Sequence, residues 1–326
     1  MMLRTAIRNA GRKARSALAA AVCVGIAPVF VASAVANPAA GGKAAPSSAA
    51  PAVSMPSKIK RPRIISLAPS LTEIAYAAGA GAELIGVVEF SDFPAAAKAV
   101  PRVGDAWRID VERVLALQPD VVLVWPTGTP ETTIERLRGL GLNVVDVPTQ
   151  SLADVPLALR QVGRLAGTSA VAEQAARDFE RRVAEQRARY SKRTPVSVFI
   201  QIDDEPIFTV NGRHVISEIV VLCGGRNVFA DLPQLAPPIA SEAVLAADPQ
   251  VILSTDDTIA NPRAFWQRWP RMRAVQSGTI FKVSSDLVTR ASPRLAQGVE
   301  VTCAALEDAR KRLAPPAAVQ PPSVAR

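Results

Sequence analysis

Histidine, aromatic residues and cysteine are scarce in this chain of 326 residues, and each scarcity argues against a class of site. A metal centre needs several imidazole, thiolate or carboxylate ligands, and the only histidine is His214. The G-x-S-x-G, H-E-x-x-H, P-loop and G-x-G-x-x-G motifs of hydrolases and nucleotide-binding enzymes are missing. A hydrolase that uses His214 as its base is the remaining alternative, but N-G-R-H-V is typical of a loop with a surface histidine that enters a helix. We therefore expect a protein without catalytic residues, metal or cofactor, and not an enzyme.

Long apolar runs are also missing beyond the first segment. Residues 1–36 contain five basic and no acidic residues, an apolar run from Ala17 to Val31, and A-V-A before Asn37. This pattern is typical of a cleavable signal peptide. The alternative, a membrane anchor, is disfavoured because a bilayer needs about 20 apolar residues. We predict cleavage after Ala36 and export from the cytoplasm.

A concentrated basic surface is lacking too. The net charge is +9 for the whole chain and +4 once the five basic residues of 1–36 are set aside. The remaining Lys and Arg are dispersed among acidic residues, so we do not expect nucleic acid as a partner. Residues 37–61, rich in Ala, Pro and Ser, and the Pro-rich residues 314–326 are predicted to be a linker and a tail.

Two cysteines, Cys223 and Cys303, remain after the signal peptide. An even number in an exported protein favours a disulfide, which would close a loop of 80 residues. Two buried free thiols are the alternative.

One stretch of the sequence occurs twice, 130 residues apart. E-R-V-L-A-L-Q-P-D-V-V-L starts at Glu112 and E-A-V-L-A-A-D-P-Q-V-I-L starts at Glu242, with seven of twelve positions identical. Each copy predicts an amphipathic helix, a proline break and an apolar strand, so we expect two equivalent lobes. Ligands of two-lobed α/β proteins usually bind in the cleft between the lobes, beyond the carboxyl ends of the strands.

The rest of the chain alternates strand and helix patterns, which predicts mostly parallel sheets in an α/β fold of two Rossmann-like lobes. Residues 62–167 are predicted to form the N-terminal lobe and 194–313 the C-terminal lobe. Residues 168–193, in which no glycine or proline interrupts Ala170 to Tyr190, are predicted to form one long, rigid helix of about 30 Å between them.

Several of the few aromatic residues follow predicted strands of the first lobe. Phe93, Trp107 and Trp125 occupy such positions, and Phe208 is the comparable residue of the second lobe. Loops after parallel strands border the cleft, so these rings would suit a large, partly apolar ligand. Capping of the core is the alternative, and it is favoured for Trp266 and Trp269.

Four segments carry a resemblance to a known family: I-I-S-L-A-P-S-L-T-E at Ile64, S-D-F-P at Ser91, C-G-G-R-N-V-F at Cys223 and R-A-S-P-R at Arg290. Together they resemble the Fe/B12 class of periplasmic substrate-binding proteins of ABC importers. The resemblance covers roughly Arg63 to Leu313. Within the class, C-G-G-x-N-x-F combined with R-A-S-P-R favours a corrinoid cargo.

The resemblance implies a cleft ligand, a bridge between Cys223 and Cys303, and delivery to an ABC permease with its ATPase at the inner membrane. The positions that match cleft residues of the family are Phe93, Trp107, Trp125, Phe208, Asp286 and Arg290. A corrinoid has apolar faces that aromatic rings can cover and a rim of amides that a carboxylate and a guanidinium can bind. A surface ion pair is the alternative for the last two residues.

The resemblance also implies that Glu112 and Glu242 form ion pairs with arginines of the permease. The alternative for both is an ordinary acidic residue in a first helical turn, with Asp110 and Ser241 as the caps. Departures from the family pattern, including Ile202, Ala236 and Leu287 where aromatic residues are expected, leave cobinamide or another large chelate open as cargo. Haem or a ferric siderophore is the alternative cargo.

Overall fold

The computed structural model describes residues 61–105, 108–255 and 261–314. The predicted signal peptide, all but the last residue of the predicted linker, and the tail beyond residue 314 lie outside the described residues. In the described part of the chain, no helix is both long enough and apolar enough to cross a bilayer.

The first lobe contains a four-stranded parallel sheet with the order β2-β1-β3-β4. Its strands are β1 (Ile64–Ser66), β2 (Leu84–Val87), β3 (Val121–Val124) and β4 (Val144–Asp146). The connecting helices are α1 (Pro69–Ala77), α2 (Val111–Ala116), α3 (Glu131–Gly139) and α4 (Asp154–Ala166), and two 3-10 turns cover Gly81–Glu83 and Ala95–Ala99. β1 and β3 are buried on both faces, as expected for central strands of a parallel sheet.

The second lobe contains a parallel sheet with the order β10-β9-β5-β8. Its strands are β5 (Val196–Gln201), β8 (Gly225–Asn227), β9 (Val251–Thr255) and β10 (Ile280–Val283), while β6 (Asp203–Asp204) and β7 (Ile207–Phe208) form a short hairpin. The helices are α6 (Val215–Leu222), α7 (Ser241–Ala247), α8 (Pro262–Trp266), α9 (Arg273–Gln276), α10 (Ser285–Val288) and α11 (Leu295–Leu313).

The duplicated stretch occupies equivalent places in the two sheets. In the first lobe it forms α2 and β3, and β3 lies between β1 and β4. In the second lobe it forms α7 and β9, and β9 lies between β5 and β10. The two strand orders are therefore the same when one is read backwards, which confirms two equivalent α/β lobes. The residue boundaries given above for the lobes stay a prediction.

One long helix, α5 (Ser169–Tyr190), connects the two sheets and confirms the predicted helix. It packs on α4 of the first lobe, and Arg160 of α4 binds Glu173 and Glu180 of α5 at 2.7 Å each. It also contacts α11 of the second lobe, where Arg182 pairs with Glu300 at 2.8 Å. Because the buried face of α5 belongs to one hydrophobic core that includes residues of both sheets, the lobes share an apolar connection.

Cys223 and Cys303 form the predicted disulfide, with a Cα–Cα distance of 4.8 Å. Cys223 caps the carboxyl end of α6, and Cys303 lies within α11. Both residues are completely buried, so the bridge ties two helices together inside the second lobe.

One predicted helix cap is confirmed and one is wrong. Asp110 caps α2 and accepts a hydrogen bond from the backbone N–H of Arg113 at 3.0 Å. Ser241, by contrast, is the first helical residue of α7, and its hydroxyl contacts its neighbour Glu242 instead of a backbone amide. The residue at the cap position is Ala240, because the chain enters the helix one residue earlier than the sequence suggests.

Candidate functional site

The carboxyl ends of the central strands identify the candidate site. In each sheet the first strand lies beside the third of its lobe, so the chain turns to opposite sides of the sheet after β1 and β3, and likewise after β5 and β9. Crevices that bind ligands form where the connections diverge in this way. Trp125 directly follows β3, and Ile202 directly follows β5.

Trp125 is held by the turn that follows β3. Its backbone carbonyl accepts hydrogen bonds from the N–H groups of Gly128 at 3.0 Å and Thr129 at 2.7 Å. The indole packs closely against Gly128, where a Cβ atom would come within 1.9 Å of the ring. The sequence reasoning did not single out Gly128, although a glycine three residues after a strand-end tryptophan was a visible signal.

The indole Nε1–H of Trp125 is buried and has no hydrogen-bond acceptor among the described residues. Buried indole N–H groups usually find a partner, because leaving one unsatisfied costs free energy. A ligand that carries a carbonyl or amide oxygen could supply that acceptor. The ring of Trp125 also packs against the hydrophobic core, in agreement with the alternative of core capping, but that packing does not explain the unpaired donor.

The loop after β2 carries exposed aromatic rings. Phe93 is 45% exposed and Phe90 is 41% exposed. Phe90 also adopts a backbone φ of +64°, a conformation that bulky side chains rarely accept and that often marks functional loops. The sequence reasoning identified Phe93 and missed Phe90, because a left-handed φ at a phenylalanine leaves no signal in the sequence.

Phe208 follows the hairpin turn of the second lobe and is half-buried. Its backbone carbonyl accepts a hydrogen bond from the N–H of Ile202 at 3.0 Å, so the hairpin is fastened to the end of β5. The ring of Phe208 and the carboxyl end of β5 are thereby placed close together. This proximity agrees with the predicted position at a cleft but also with packing, since the ring contacts the hydrophobic core.

Asp286 and Arg290 do form an ion pair, at 3.2 Å, but the pair is part of a larger group. We call this group the interlobe charge cluster; it consists of Glu73, Asp92, Asp286, Arg290 and Arg294. The first two belong to the first lobe and the other three to the second. The guanidinium-bearing side chain of Arg290 is only 18% exposed, which does not fit the alternative of a simple surface pair.

Contacts in the cluster cross from lobe to lobe. Arg294 binds Glu73 at 2.5 and 2.9 Å, and Arg290 lies 3.5 Å from Glu73 and 3.6 Å from Asp92. The Arg294 guanidinium also stacks over the ring of Phe93, 4.4 Å from its centroid. The segments that follow β2 and β10 therefore meet, and three of the predicted cleft residues lie at this junction. Glu73 and Arg294 were not identified from the sequence.

Glu112 and Glu242 are both exposed in the first turns of their helices. Each helix directly precedes a central strand and runs antiparallel to it, so its first turn lies at the carboxyl end of the sheet. The two glutamates therefore occupy equivalent positions on the side of the molecule where the candidate site lies. Their role in docking stays a prediction.

Other aromatic residues have different places. Trp107 lies outside the described residues. Trp266 is fully buried and donates its indole N–H to Gln201 at 2.7 Å, and the half-buried Trp269 lies against it with ring centroids 5.2 Å apart. These two tryptophans belong to the core cluster of the second lobe, as the sequence favoured.

His214 is not the surface residue that the sequence suggested. Its side chain is mostly buried, and its Nδ1 atom accepts a hydrogen bond from the backbone N–H of Ile216 at 3.2 Å, so it caps α6. Burial lowers the pKa of His214 to about 4. The imidazole is turned toward the backbone of the first helical turn because it caps α6, and periodicity does not reveal this orientation.

Two concavities in the described part of the chain are large enough to be compared as places for a ligand. A small one of about 240 Å³ borders the interlobe charge cluster and is lined by Tyr76, Phe93 and Pro293 together with members of the cluster. A larger open groove of about 660 Å³ runs between α4, α5 and α6, away from the strand ends, and Leu157, Phe179 and Val183 contribute to its walls. The groove offers mainly apolar surface, whereas aromatic rings and charged side chains lie near the strand ends.

Residues 61–105, 108–255 and 261–314 contain no group of three or more His, Cys, Asp and Glu side chains placed to hold an ion.

The fold is that of an α/β protein with two equivalent lobes, and comparison with known proteins agrees. Residues 64–287 match the model of the periplasmic binding protein family. The chain belongs to this family.

Relatives within the family are similar over nearly their whole length. The chain is 37% identical over 262 residues to a vitamin B12-binding protein of Vibrio cholerae, covering 79% of this chain and 95% of the relative. It is 37% identical over 263 residues to a vitamin B12-binding protein of Pectobacterium atrosepticum, covering 78% and 91%.

Solved structures give the same result for the fold. The crystal structure of the periplasmic vitamin B12 binding protein BtuF of Vibrio cholerae superposes with a TM-score of 0.73 at 37% identity, over 77% of this chain and 98% of that one. The periplasmic heme-binding protein RhuT from Roseiflexus, at 23% identity, has a TM-score of 0.69 over 76% and 99%, and at that identity the likeness concerns the fold alone.

Proposed function

We propose that this protein captures a corrinoid, vitamin B12 or a related one, between its lobes and delivers it to an ABC importer. The observation that carries the proposal is Trp125. It is a flat apolar ring at the strand end of the first lobe, and its buried N–H lacks a partner. The relatives named vitamin B12-binding proteins support the same cargo.

The chemistry of the remaining site residues suits such a cargo. Phe93 and Phe208 add apolar surface for the faces of a corrin ring, and Asp286 and Arg290 can bind the amides at its rim. Trp107 is proposed to belong to the same site on the strength of the resemblance. The function is binding and release, so the protein is not an enzyme, and the corrinoid is its cargo and not a cofactor.

Membership in the family supports a proposal for localisation and partners. We propose that the protein works in the periplasm after removal of its signal peptide and that an inner-membrane permease with its ATPase receives the cargo. Glu112 and Glu242 are the proposed docking residues, one on each lobe, and their exposure supports that role. The hydrophobic core shared by the lobes and α5 favours a largely pre-formed site with small lobe movement.

The alternative cargo, haem or a ferric siderophore, gains no support from the possible iron ligands. His214 uses its Nδ1 atom to cap α6, and Tyr190 is buried at the end of α5. Tyr76 lies in α1, and burial raises the pKa of its phenol, which works against a phenolate ligand, although Arg102 opposes this shift.

Calorimetric titration of the purified protein tests the proposal. Cyanocobalamin should bind one site with micromolar or tighter affinity, and Trp125→Ala should weaken binding at least about tenfold by removing stacking surface. The matched control is Trp269→Ala, a tryptophan in the core cluster of the second lobe, which should leave the affinity of the folded protein unchanged. Binding of hemin but not of cyanocobalamin would replace the corrinoid by the alternative cargo, and binding of neither would refute both.

A further inference from the structure

The interlobe charge cluster contains one more acidic residue than basic ones. Glu73, Asp92 and Asp286 face Arg290 and Arg294, so the ionised group carries a net charge of −1. The cluster lies beside the exposed rings of the loop after β2. The excess negative charge affects which polar groups of a cargo can bind at the cluster.

Arg294 is held mainly by Glu73, and its Nη1 atom also lies 3.5 Å from Asp286. Its Nη2 and Nε atoms donate to the two oxygens of Glu73 at 2.5 and 2.9 Å, and the hydroxyl of Ser292 donates to Glu73 at 2.6 Å. Glu73 is 4% exposed. The pair of Glu73 and Arg294 joins α1 to the segment after β10, and both oxygens of Glu73 already accept hydrogen bonds.

Arg290 is held much more loosely. Its distances to Asp286, Glu73 and Asp92 are 3.2, 3.5 and 3.6 Å, all longer than the roughly 2.7–2.9 Å of a tight charged hydrogen bond. The carboxylates of Asp92 and Asp286 are about half exposed, at 49% and 41%. The most accessible part of the cluster is therefore the two carboxylates of Asp92 and Asp286. The less exposed guanidinium of Arg290 lies between them and also contacts the backbone carbonyl of Phe90 at 3.5 Å.

Resting on the proposed function, we propose that this cluster makes the receptor select cargo that presents amides here and reject cargo that presents carboxylates. A primary amide matches both kinds of partner, because its oxygen accepts from Arg290 while its NH₂ group donates to Asp92 or Asp286. A carboxylate only accepts, and it adds a second negative charge to a group that already has an excess of one. Specificity of this kind comes from a repulsive element as well as from an attractive one.

Attraction by Arg290 does not reverse this preference. Three carboxylates already lie within 3.6 Å of its guanidinium, so the positive charge is more than neutralised. A ligand carboxylate bound to Arg290 would face the negative charges of Asp92 and Asp286. A neutral amide in the same place adds no charge.

The experiment compares cyanocobalamin with its three monocarboxylic acids, which mild hydrolysis of the propionamide side chains produces. Calorimetry at pH 7.5, where the acids are ionised, should show at least one isomer bound about tenfold more weakly than cyanocobalamin, the size expected for one poorly screened charge contact. In Asp92→Asn, which removes one charge and keeps the shape, the ratio of the two dissociation constants should fall to about threefold or less. Glu73 is not substituted, because removing one partner of a buried pair can unfold the protein.

Asp178→Asn is the matched control, since it removes one exposed carboxylate from α5 and should leave the ratio unchanged. The inference is overturned if all three acids bind within twofold of cyanocobalamin, or if Asp92→Asn changes the ratio no more than the control does. Loss of cyanocobalamin binding by the wild-type protein itself is a different outcome, because it refutes the proposed function on which this inference rests.

Discussion

Single residues decide how the first lobe presents its main apolar surface. The sequence indicated Trp125 because it directly follows an apolar strand, but it could not show that the indole lies on Gly128. That contact depends on the turn closed by the hydrogen bonds to the Trp125 carbonyl. The position of Trp125 in the sequence therefore predicted where its ring lies. Only the folded turn showed that Gly128 supports the ring.

Gly128→Ala should weaken the binding of cyanocobalamin by about tenfold while changing the melting temperature little. An added Cβ would come within 1.9 Å of the indole and force the ring out of its place. Gly139→Ala is the matched control, because a Cβ at Gly139 meets nothing within 4 Å. Equal affinities of the two variants would show that the indole's position does not matter for binding.

His214 should make stability depend on pH. Burial lowers the pKa of its imidazole to about 4 in the folded protein, against about 6.5 in an unfolded chain. As pH falls from 6.5 to 4, the unfolded chain takes up a proton that the folded protein does not. The stability contributed by the neutral cap is therefore complete above pH 6.5 and is lost by about 3 kcal/mol on reaching pH 4.

Urea denaturation at pH 7 and at pH 4.5 measures this effect. His214→Asn keeps a side chain that can cap α6 but does not titrate, so the variant should lose less stability between the two pH values. The same loss in both proteins would mean that other groups cause the acid destabilisation.

At the scale of helices and strands, periodicity and proline breaks in the sequence predicted the longer elements correctly. The long α5 was predicted from an uninterrupted helical pattern, and the two copies of the duplicated stretch fold as expected. Short elements such as α9 and the β6–β7 hairpin were not predicted, because four residues or fewer carry no periodicity. The cap of α7 was misassigned for a related reason, since one residue of shift leaves the apolar pattern unchanged.

The disulfide should contribute strongly to the stability of the second lobe by tying α6 to α11. It closes a loop of 80 residues, and removing such a bridge costs about 2–5 kcal/mol. The double variant Cys223→Ser/Cys303→Ser should lose this amount in guanidinium denaturation. Reductant should destabilise the wild-type protein by a similar amount and leave the double variant unaffected; sensitivity of the double variant would point to another cause.

At the scale of the whole molecule, the duplication predicted two equivalent lobes but not how they meet. The interlobe charge cluster joins residues more than 200 positions apart, such as Glu73 and Arg294, and no local pattern relates them. Asp286 and Arg290 could be singled out because they are neighbours in sequence and match a family motif. Their partners in the first lobe required the folded structure.

Docking onto the permease should depend on both lobes. Charge reversal of the exposed carboxylates, Glu112→Arg together with Glu242→Arg, should abolish uptake of vitamin B12 in cells that depend on this receptor while leaving calorimetric affinity unchanged. Glu131→Arg is the control, since it reverses an acidic residue in the first turn of α3 outside the duplicated stretch. Normal uptake by the double variant would leave the two glutamates with a structural role only.

A crystal structure of the protein with cyanocobalamin tests most directly where the cargo binds. We expect the corrin between the strand ends of the two lobes, with a face covered by Trp125, an acceptor within about 3 Å of the indole Nε1 atom, and rim amides on Asp286 and Arg290. A corrin bound instead in the groove between α4, α5 and α6, beside Leu157 and Val183, would contradict this site and the selectivity inferred from it.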